Sequence, residues 1–211
     1  GWATGAAMLK LDHLAVSCER LNEGAEWLAD MFGAPFQAGG HHALFGTHNM
    51  LMGLEDGLYL EVIAIDPSAP KPERARWFDL DNFAGLPRLT NWICRTHDIA
   101  DALTKLPKAG DSVAIERGDL RWKMAVPPTG KLPFDNIHPA LIEWEGDLHP
   151  AAMLTSQPVR LHQLRVFHPD AAEIEQSVLP LLTDARVIYV RRAEPGLEAE
   201  FETPNGKCVL K

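Results

Sequence analysis

The sequence predicts an α+β protein in which repeated βαβββ modules pair into a half-closed, mixed β-sheet barrel. One order of elements, a strand, a helix and three strands, recurs in residues 8–66, 87–146 and, completely or in part, 157–211. A single module of this kind exposes a sheet face that it cannot cover alone, so neighbouring modules must pair their sheets. The composition, with 46% hydrophobic and 23% charged residues, is typical of a globular protein that can bury such a core.

The first module begins with an apolar run, Leu11–Val16, that predicts a largely buried strand. Asn22 is expected to cap the following helix, which ends before Gly33 because glycine favours the left-handed conformation at helix ends. The pair Gly39-Gly40 predicts a turn. Three strands are predicted after the helix, around Ala43–Gly46, Asn49–Leu54 and Leu58–Ile65.

A connector rich in proline and charged residues, Asp66–Leu86, leads to the second module, with a short helix predicted around Glu73–Leu80. The second module repeats the first pattern, with a helix at Ile99–Leu106 and a hairpin turn at Gly118-Asp119. Its strands are predicted at Leu89–Cys94, Ser112–Glu116, Leu120–Val126 and Ala140–Trp144.

The third module contains the strongest hairpin signal of the chain, Asn205-Gly206, because both residues tolerate positive φ. Pro150–Pro158 is the predicted linker before it, and Ala171–Leu182 its helix. If this module finds no partner within the chain, it pairs with a copy from another subunit and makes a homodimer. Its strands are predicted at Leu161–Phe167, Arg186–Val190, Leu197–Thr203 and Lys207–Leu210.

Charge and motifs exclude several classes of function. The formal net charge of −9, with no basic run beyond Arg191-Arg192, argues against nucleic acid as a partner. No run approaches the roughly 18 to 20 apolar residues that span a bilayer, so no membrane partner is expected. The GxSxG, GxxxxGK[ST] and GxGxxG motifs do not occur, which argues against a hydrolase triad, a kinase and a nucleotide cofactor.

The three cysteines, Cys18, Cys94 and Cys208, are widely spaced and contain no CxxC pair. They are expected to be reduced, buried thiols, and the protein is expected to be cytoplasmic. Gly1 to Ala7 are small and aperiodic and do not begin with Met, so a natural start at Met8 is expected.

Two polar residues in apolar strands are the leading site candidates. Glu61 lies in the middle of Leu58–Ile65, where a buried carboxylate needs a cation or a hydrogen-bond donor. His13 lies within the first strand, where a lone histidine is either a hydrogen-bonded core residue or a ligand. The match between the modules places Asn91 where His13 stands and Glu143 where Glu61 stands.

The chain resembles the vicinal oxygen chelate superfamily, in its glyoxalase-like branch. The residues that carry the resemblance are Leu-Asp-His-Leu around His13, Gly-Gly-His-His ending at His42, Gly-Thr-His-Asn ending at Asn49, and Tyr-Leu-Glu ending at Glu61. The resemblance implies a divalent metal between the paired modules. Its ligand positions would be His13, Glu61, Asn91 and Glu143, and Zn, Fe, Mn, Co or Ni suits imidazole and carboxylate.

Asn91 departs from the family pattern, because a neutral amide is a poor metal ligand. The sequence therefore leaves two hypotheses open. The first is a metal-assisted lyase, isomerase or dioxygenase that acts on a small molecule with vicinal oxygens, with His13, Glu61 and Glu143 as metal ligands and Glu61 or Glu143 as the catalytic carboxylate. The second is a metal-free protein that binds or sequesters a small molecule.

The histidine-rich segment after the first helix supplies further candidates for ligand contact. His42, His48 and Asn49 are expected to contact the ligand together with Asn91, because the strands of this segment line the same cup in the related fold. Neighbouring strand residues point to opposite faces, which weakens the case for His48 and Asn49 as a pair. Glu143 has an alternative role on a solvated face, since Glu145 lies on the same side of its strand.

Overall fold

The structure is a computed structural model that describes residues 8–211. The expected extension before Met8 lies outside the described residues. The strands are β1 Lys10–Ser17, β2 Gln37–His42, β3 Thr47–Gly53, β4 Tyr59–Ile65, β5 Arg88–Arg95, β6 Asp111–Arg117, β7 Leu120–Val126, β8 Ala140–Trp144, β9 Arg160–His168, β10 Val187–Arg191, β11 Gly196–Thr203 and β12 Gly206–Leu210. The helices are α1 Leu21–Phe32, α2 Ile99–Lys105, α3 Pro133–Asn136, α4 Pro150–Met153 and α5 Ala171–Val178, and 3₁₀ turns occupy Glu55–Gly57, Trp77–Asn82 and Pro107–Ala109.

Eight strands form one curled mixed sheet in the order β2-β3-β4-β1-β5-β8-β7-β6. In each half, the first strand pairs in parallel with the last, β1 with β4 and β5 with β8. The halves join where β1 runs antiparallel to β5, with Leu14 opposite Trp92. The predicted α+β half-barrel is therefore confirmed. Its concave face, which we call the cup, carries its own apolar core, built mainly from Phe45, Ile63, Trp77, Phe78, Ile93, Trp122, Met124 and Ile142.

The last part of the chain forms a separate four-stranded sheet in the order β10-β9-β11-β12. Here the strand after the helix returns directly beside β9, unlike in the first two modules. This sheet packs on the outer face of the half-barrel, where Val166 and Phe201 share one core with Leu14 and Val62. The rings of Phe32 and Phe201 lie 4.9 Å apart. The third module therefore packs against a partner within the chain. A homodimer was predicted for the case in which it has no such partner, and the homodimer itself stays a prediction.

Three local predictions in the first module are wrong. Gly39 and Gly40 lie inside β2, where they allow close approach: a Cβ on Gly39 would stand 2.1 Å from Asn49 Oδ1, and one on Gly40 would stand 2.3 Å from Arg117 Cδ. Ala43–Gly46, predicted as a strand, is the turn after β2. Asn22 lies inside α1, whose N-cap position is Arg20.

The connector of residues 66–86, which we call the strap, crosses the cup. In place of the short helix predicted around Glu73–Leu80, the structure has a 3₁₀ turn at Trp77–Asn82, in which Phe78 and Asp79 adopt positive φ values of 59° and 55°. This short left-handed turn buries both Trp77 and Phe78 in the cup core. The Asp79 N–H donates to Gly130 O at 2.9 Å, which joins the strap to the loop before β8.

The prediction of buried thiols is confirmed for two of the three cysteines. All three thiols are free; Cys18 and Cys94 are buried and Cys208 is half-buried. In the described part of the chain, no helix has the length and hydropathy needed to cross a membrane.

Gly130→Ala is expected to destabilise the protein by about 3 kcal/mol, whereas Gly57→Ala should cost about 1 kcal/mol. Both glycines have left-handed φ, 77° and 74°. A Cβ on Gly130 would stand 2.0 Å from the strap carbonyl of Arg76, but one on Gly57 would meet nothing within 4 Å. Urea unfolding measures the free energy of unfolding of both variants. The loss in Gly57→Ala gives the cost of the left-handed backbone, and the additional loss in Gly130→Ala gives the cost of the steric clash. Equal losses would contradict a tight contact between Gly130 and the strap.

Candidate active site

The cup encloses a small cavity of about 30 Å³, enough for about two water molecules. Aromatic side chains of the strap and of the second half close it, among them Trp77, Phe78, Trp122 and Trp144. The polar residues that line the cavity are His13, His42, Asn49, Tyr59, Glu61 and Arg117.

A β-bulge at the start of β1 places Asp12 against His13. The pairing of β1 with β5 shifts between Leu11 and His13, so that Asp12 is the extra residue. Asp12 Oδ2 lies 2.7 Å from His13 Nδ1, and Asp12 Oδ1 lies 2.7 Å from His149 Nε2. Burial would raise the pKa of Asp12, but its hydrogen bonds to His13 and His149 outweigh burial and hold the pKa well below its usual range. Asp12 is therefore a fully buried anion that orients His13.

Glu61 lies on the other side of His13. Its Oε1 is 3.5 Å from His13 Nε2, and its Oε2 accepts a hydrogen bond from Asn49 Nδ2 at 2.6 Å. Burial would lower the pKa of His13, but Asp12 and Glu61 outweigh burial and raise the pKa to about 9. Burial would raise the pKa of Glu61, but the hydrogen bonds from His13 and Asn49 outweigh burial and lower it. The Tyr59 ring stacks on His13 at 4.3 Å. The result is a buried carboxylate–imidazolium–carboxylate triad.

Arg117 and His42 complete the polar wall. Arg117, at the end of β6, reaches across the barrel to Gly40 on β2 and lines the cavity. Its buried Nε has no hydrogen-bond partner, and no carboxylate within residues 8–211 forms an ion pair with it. His42 Nδ1 lies 3.1 Å from Thr47 Oγ1, and burial lowers the pKa of His42 to about 4. The cavity thus combines a neutral imidazole with an unpaired guanidinium.

The structure brings together four of the residues singled out in the sequence, His13, Glu61, His42 and Asn49. Asp12, Tyr59 and Arg117 were missed. The adjacent Asp-His pair in an apolar strand was a usable signal for Asp12. Nothing in the local sequence indicates that Arg117, beside the turn at Gly118, reaches the first half of the barrel.

Three other predicted residues lie outside the cavity. Ile142 and Trp144, the strand neighbours of Glu143, line the cavity, so Glu143 points to the other face of the sheet. There its Oε1 accepts a hydrogen bond of 2.9 Å from the N–H of Ile99, at the start of α2. His48 lies on the outer face of β3. Asn91 is fully buried opposite Ala15, and its amide N and O have no hydrogen-bond partner in the described part of the chain.

The four-residue metal set implied by the resemblance does not fit these contacts. Only His13 and Glu61 face each other, and the second half contributes Ile142 and Trp144 where further ligands would be needed. His13 Nδ1 is already held by Asp12, and Asn49 occupies the second oxygen of Glu61. The side chains of the cup therefore do not form a complete ligand set for a metal ion.

Comparison with known proteins agrees with the half-barrel and its cup. A family model described as a glyoxalase-like domain matches residues 11–182. The chain belongs to this glyoxalase-like family. The resemblance to the vicinal oxygen chelate superfamily is thereby confirmed at the level of family and fold. A comparison with curated proteins gives no match.

Several solved structures are similar to this glyoxalase-like protein, and the first of them supports the same fold. A hypothetical protein from Staphylococcus aureus has 17% identity and a TM-score of 0.57, covering 95% of this chain and 84% of its own. Methylmalonyl-CoA epimerase from Mycobacterium tuberculosis has 20% identity and a TM-score of 0.41, covering 67% and 91%. A Streptomyces coelicolor methylmalonyl-CoA epimerase in complex with 2-nitronate-propionyl-CoA has 17% identity and a TM-score of 0.40, covering 64% and 97%.

The stability of this protein is expected to fall by about 2 to 3 kcal/mol between pH 6.5 and 8.5. The pKa of His13 is raised to about 9, from 6.5, so its stabilising contribution is complete below pH 6.5 and is lost as the pH rises towards 9. Urea unfolding at several pH values measures this slope. In His13→Gln the slope should disappear, whereas the exposed His162→Gln should keep it; the same slope in His13→Gln would contradict the assignment.

Proposed function

We propose that this glyoxalase-like protein is a lyase- or isomerase-type enzyme that moves a proton at a carbon atom of a small anionic substrate with adjacent oxygens. One observation carries the proposal: the buried triad of Asp12, His13 and Glu61 faces a cavity that also holds Arg117, a cation without a carboxylate partner in the described residues. Buried ionisable groups with shifted pKa values beside a cavity are typical of acid–base catalysis.

The roles of the triad follow from its contacts. Arg117 would pair with the anionic group of the substrate. Glu61 would accept the proton from the carbon next to a carbonyl group. The C–H electron pair would then form a C=C bond, and the π pair of the carbonyl group would move to its oxygen, giving an enolate. His13 Nε2–H would donate a hydrogen bond to that oxygen, while Asp12 keeps the ring protonated. Return of the proton from Glu61 to the same carbon regenerates the substrate and gives exchange with solvent. Where that carbon carries a hydroxyl group, delivery of the proton to the former carbonyl carbon, with transfer of the hydroxyl proton to the neighbouring oxygen, would complete an isomerisation.

The lowered pKa of Glu61 limits the substrate class. A carboxylate of low pKa is a weak base, so the C–H bond must be acidified by the neighbouring carbonyl and by the two cations, His13 and Arg117. Asn49 holds Glu61 in place through its 2.6 Å hydrogen bond. Small 2-oxo carboxylates with a proton on the carbon next to the carbonyl group meet these requirements.

Deuterium exchange tests the proposal without knowledge of the net reaction. The protein is incubated in D₂O with a panel of small carboxylates that carry a neighbouring carbonyl or hydroxyl group, and loss of the C–H signal is followed by NMR. We expect catalysed exchange for at least one compound and weaker binding of that compound by Arg117→Gln. A panel that shows neither exchange nor binding contradicts the proposal.

A second candidate is metal-free binding or sequestration of a small molecule. The observation in its favour is the aromatic wall of Trp77, Phe78, Trp122 and Trp144, together with a ligand set for metal that is incomplete. Binding of panel compounds without exchange would support it. The metal-assisted form of the enzyme hypothesis stays a prediction, and metal that disappears in both His13→Ala and Glu61→Gln would support that form.

A further inference from the structure

We propose a second, separate site on the outer face of the sheet, where His41, His48 and Asp66 bind a divalent transition metal of the zinc type. One potential ligand atom from each side chain lies within 4.8 Å of the other two. His41 Nδ1 is 2.6 Å from Asp66 Oδ2, and the rings of His41 and His48 are 5.8 Å apart. This inference does not depend on the proposed function of the cup.

The fold builds the three positions from neighbouring strands. His41 on β2 and His48 on β3 are direct partners across the antiparallel pair, so their side chains lie on the same face. Asp66 directly follows β4, the next strand of the sheet. The Asp66 N–H donates to Gly46 O at 2.9 Å, which fixes its backbone beside the turn between the two histidines.

Asp66 is oriented as a ligand would be. The Ser68 N–H and hydroxyl both donate to Asp66 Oδ1, at 2.9 and 2.7 Å, and leave Oδ2 directed at His41. Its side chain is 6% exposed, whereas that of His41 is 70% exposed. The carboxylate is therefore held by the protein, and His41 is free to rotate towards an ion.

Two imidazoles and one carboxylate are a common protein ligand set for zinc, with metal–ligand distances of about 2.0 to 2.2 Å. Tetrahedral coordination would bring the ligand atoms to about 3.3 Å from one another, which rotation of the exposed His41 side chain allows. The three residues leave a fourth position towards solvent, where water completes the coordination. Cobalt and nickel suit the same ligands.

Metal at this site would affect the strap. Asp66 is the first strap residue, and Trp77 and Phe78 of the same strap close the cup cavity. An ion bound by His41, His48 and Asp66 ties the strap to the β2–β3 hairpin. It would stabilise the folded state by linkage, raising the Tm by about 5 °C at saturating zinc.

The test uses the full chain without a histidine tag, stripped with a chelator and titrated with ZnCl₂ in a calorimeter. We expect one zinc per chain, binding at least 10-fold weaker in His41→Ala and in His48→Ala, and unchanged binding in the exposed control His162→Ala. Cobalt titration should give the visible absorption of a tetrahedral site in the wild-type protein and lose it in His48→Ala. The metal-free Tm of each variant checks its folding.

Two outcomes would overturn the inference. One is the absence of zinc binding by the stripped wild-type protein. The other is zinc binding that persists in the double variant His41→Ala/His48→Ala and is lost in His13→Ala, which would place the metal in the cup instead. Unchanged zinc binding in Glu61→Gln, with or without loss of deuterium exchange, supports a site that is independent of the cup.

Discussion

Asp12→Asn is expected to lower the free energy of unfolding by about 3 to 5 kcal/mol, the largest effect of any single polar substitution in the cup. Asp12 is fully buried and accepts hydrogen bonds from His13, His149 and Trp144. An amide of the same shape has one acceptor oxygen in place of two, and its NH₂ group would face a donor. Urea unfolding near pH 6.5 measures the loss.

The same variant should also lower the pKa of His13 from its raised value of about 9, because the imidazolium loses its main hydrogen-bond partner. NMR titration of the ring protons measures this change. The matched control is Asp135→Asn, which removes an acceptor 2.9 Å from His168 Nε2 but from a side chain that is 60% exposed. That control should cost less than about 1 kcal/mol. Similar losses in the two variants would contradict the special role of Asp12.

Glu61→Gln is expected to reduce deuterium exchange of an accepted substrate by about 10³-fold, within the range of general base catalysis. The amide keeps the size of the side chain but cannot accept a proton from carbon. Loss of the Glu61 charge should also lower the pKa of His13, because Glu61 and Asp12 together raise that pKa in the wild-type protein. The rate is measured by NMR in D₂O with the best compound of the panel.

The chain offers a matched control for this variant in Glu143→Gln. Glu143 holds the equivalent place in the sequence match, but its carboxylate accepts the Ile99 N–H outside the cup. We expect the rate of deuterium exchange of the substrate in Glu143→Gln to differ from that of the wild-type protein by less than about 3-fold. An equal loss in Glu143→Gln would support the catalytic role that the sequence match assigned to that residue and would contradict the cup geometry described above.

The comparison of Glu61 with Glu143 illustrates how far sequence reasoning reaches. Glu61 was identifiable because a carboxylate in the middle of an apolar strand requires a partner, and Asn49 and His13 are those partners. Glu143 corresponded to Glu61 only in the alignment of the two sequence repeats. On β4 the cup-facing residues include Tyr59 and Glu61, but on β8 they are Ile142 and Trp144. Because side chains alternate along a strand, a shift of one residue moved Glu143 to the other face.

The histidine segment illustrates the same limit. The sequence made both His48 and Asn49 candidates for ligand contact, although neighbouring strand residues point to opposite faces. The register of β2 with β3 then decided the outcome: Asn49 joined His42 in the cup, and His48 joined His41 outside.

The sequence alone determined the order of the elements, the α+β half-barrel and the identity of His13 and Glu61 as buried polar residues. The elements and the two buried residues follow from local patterns, since apolar periodicity and an unpaired charge in an apolar run are visible within a few residues. The half-barrel follows from the repeat of the module along the chain. The tertiary structure decided the rest: the bulge that joins Asp12 to His13, the strap that closes the cup and the reach of Arg117 to Gly40. These contacts depend on strand register and on residues distant in sequence, which no local pattern encodes.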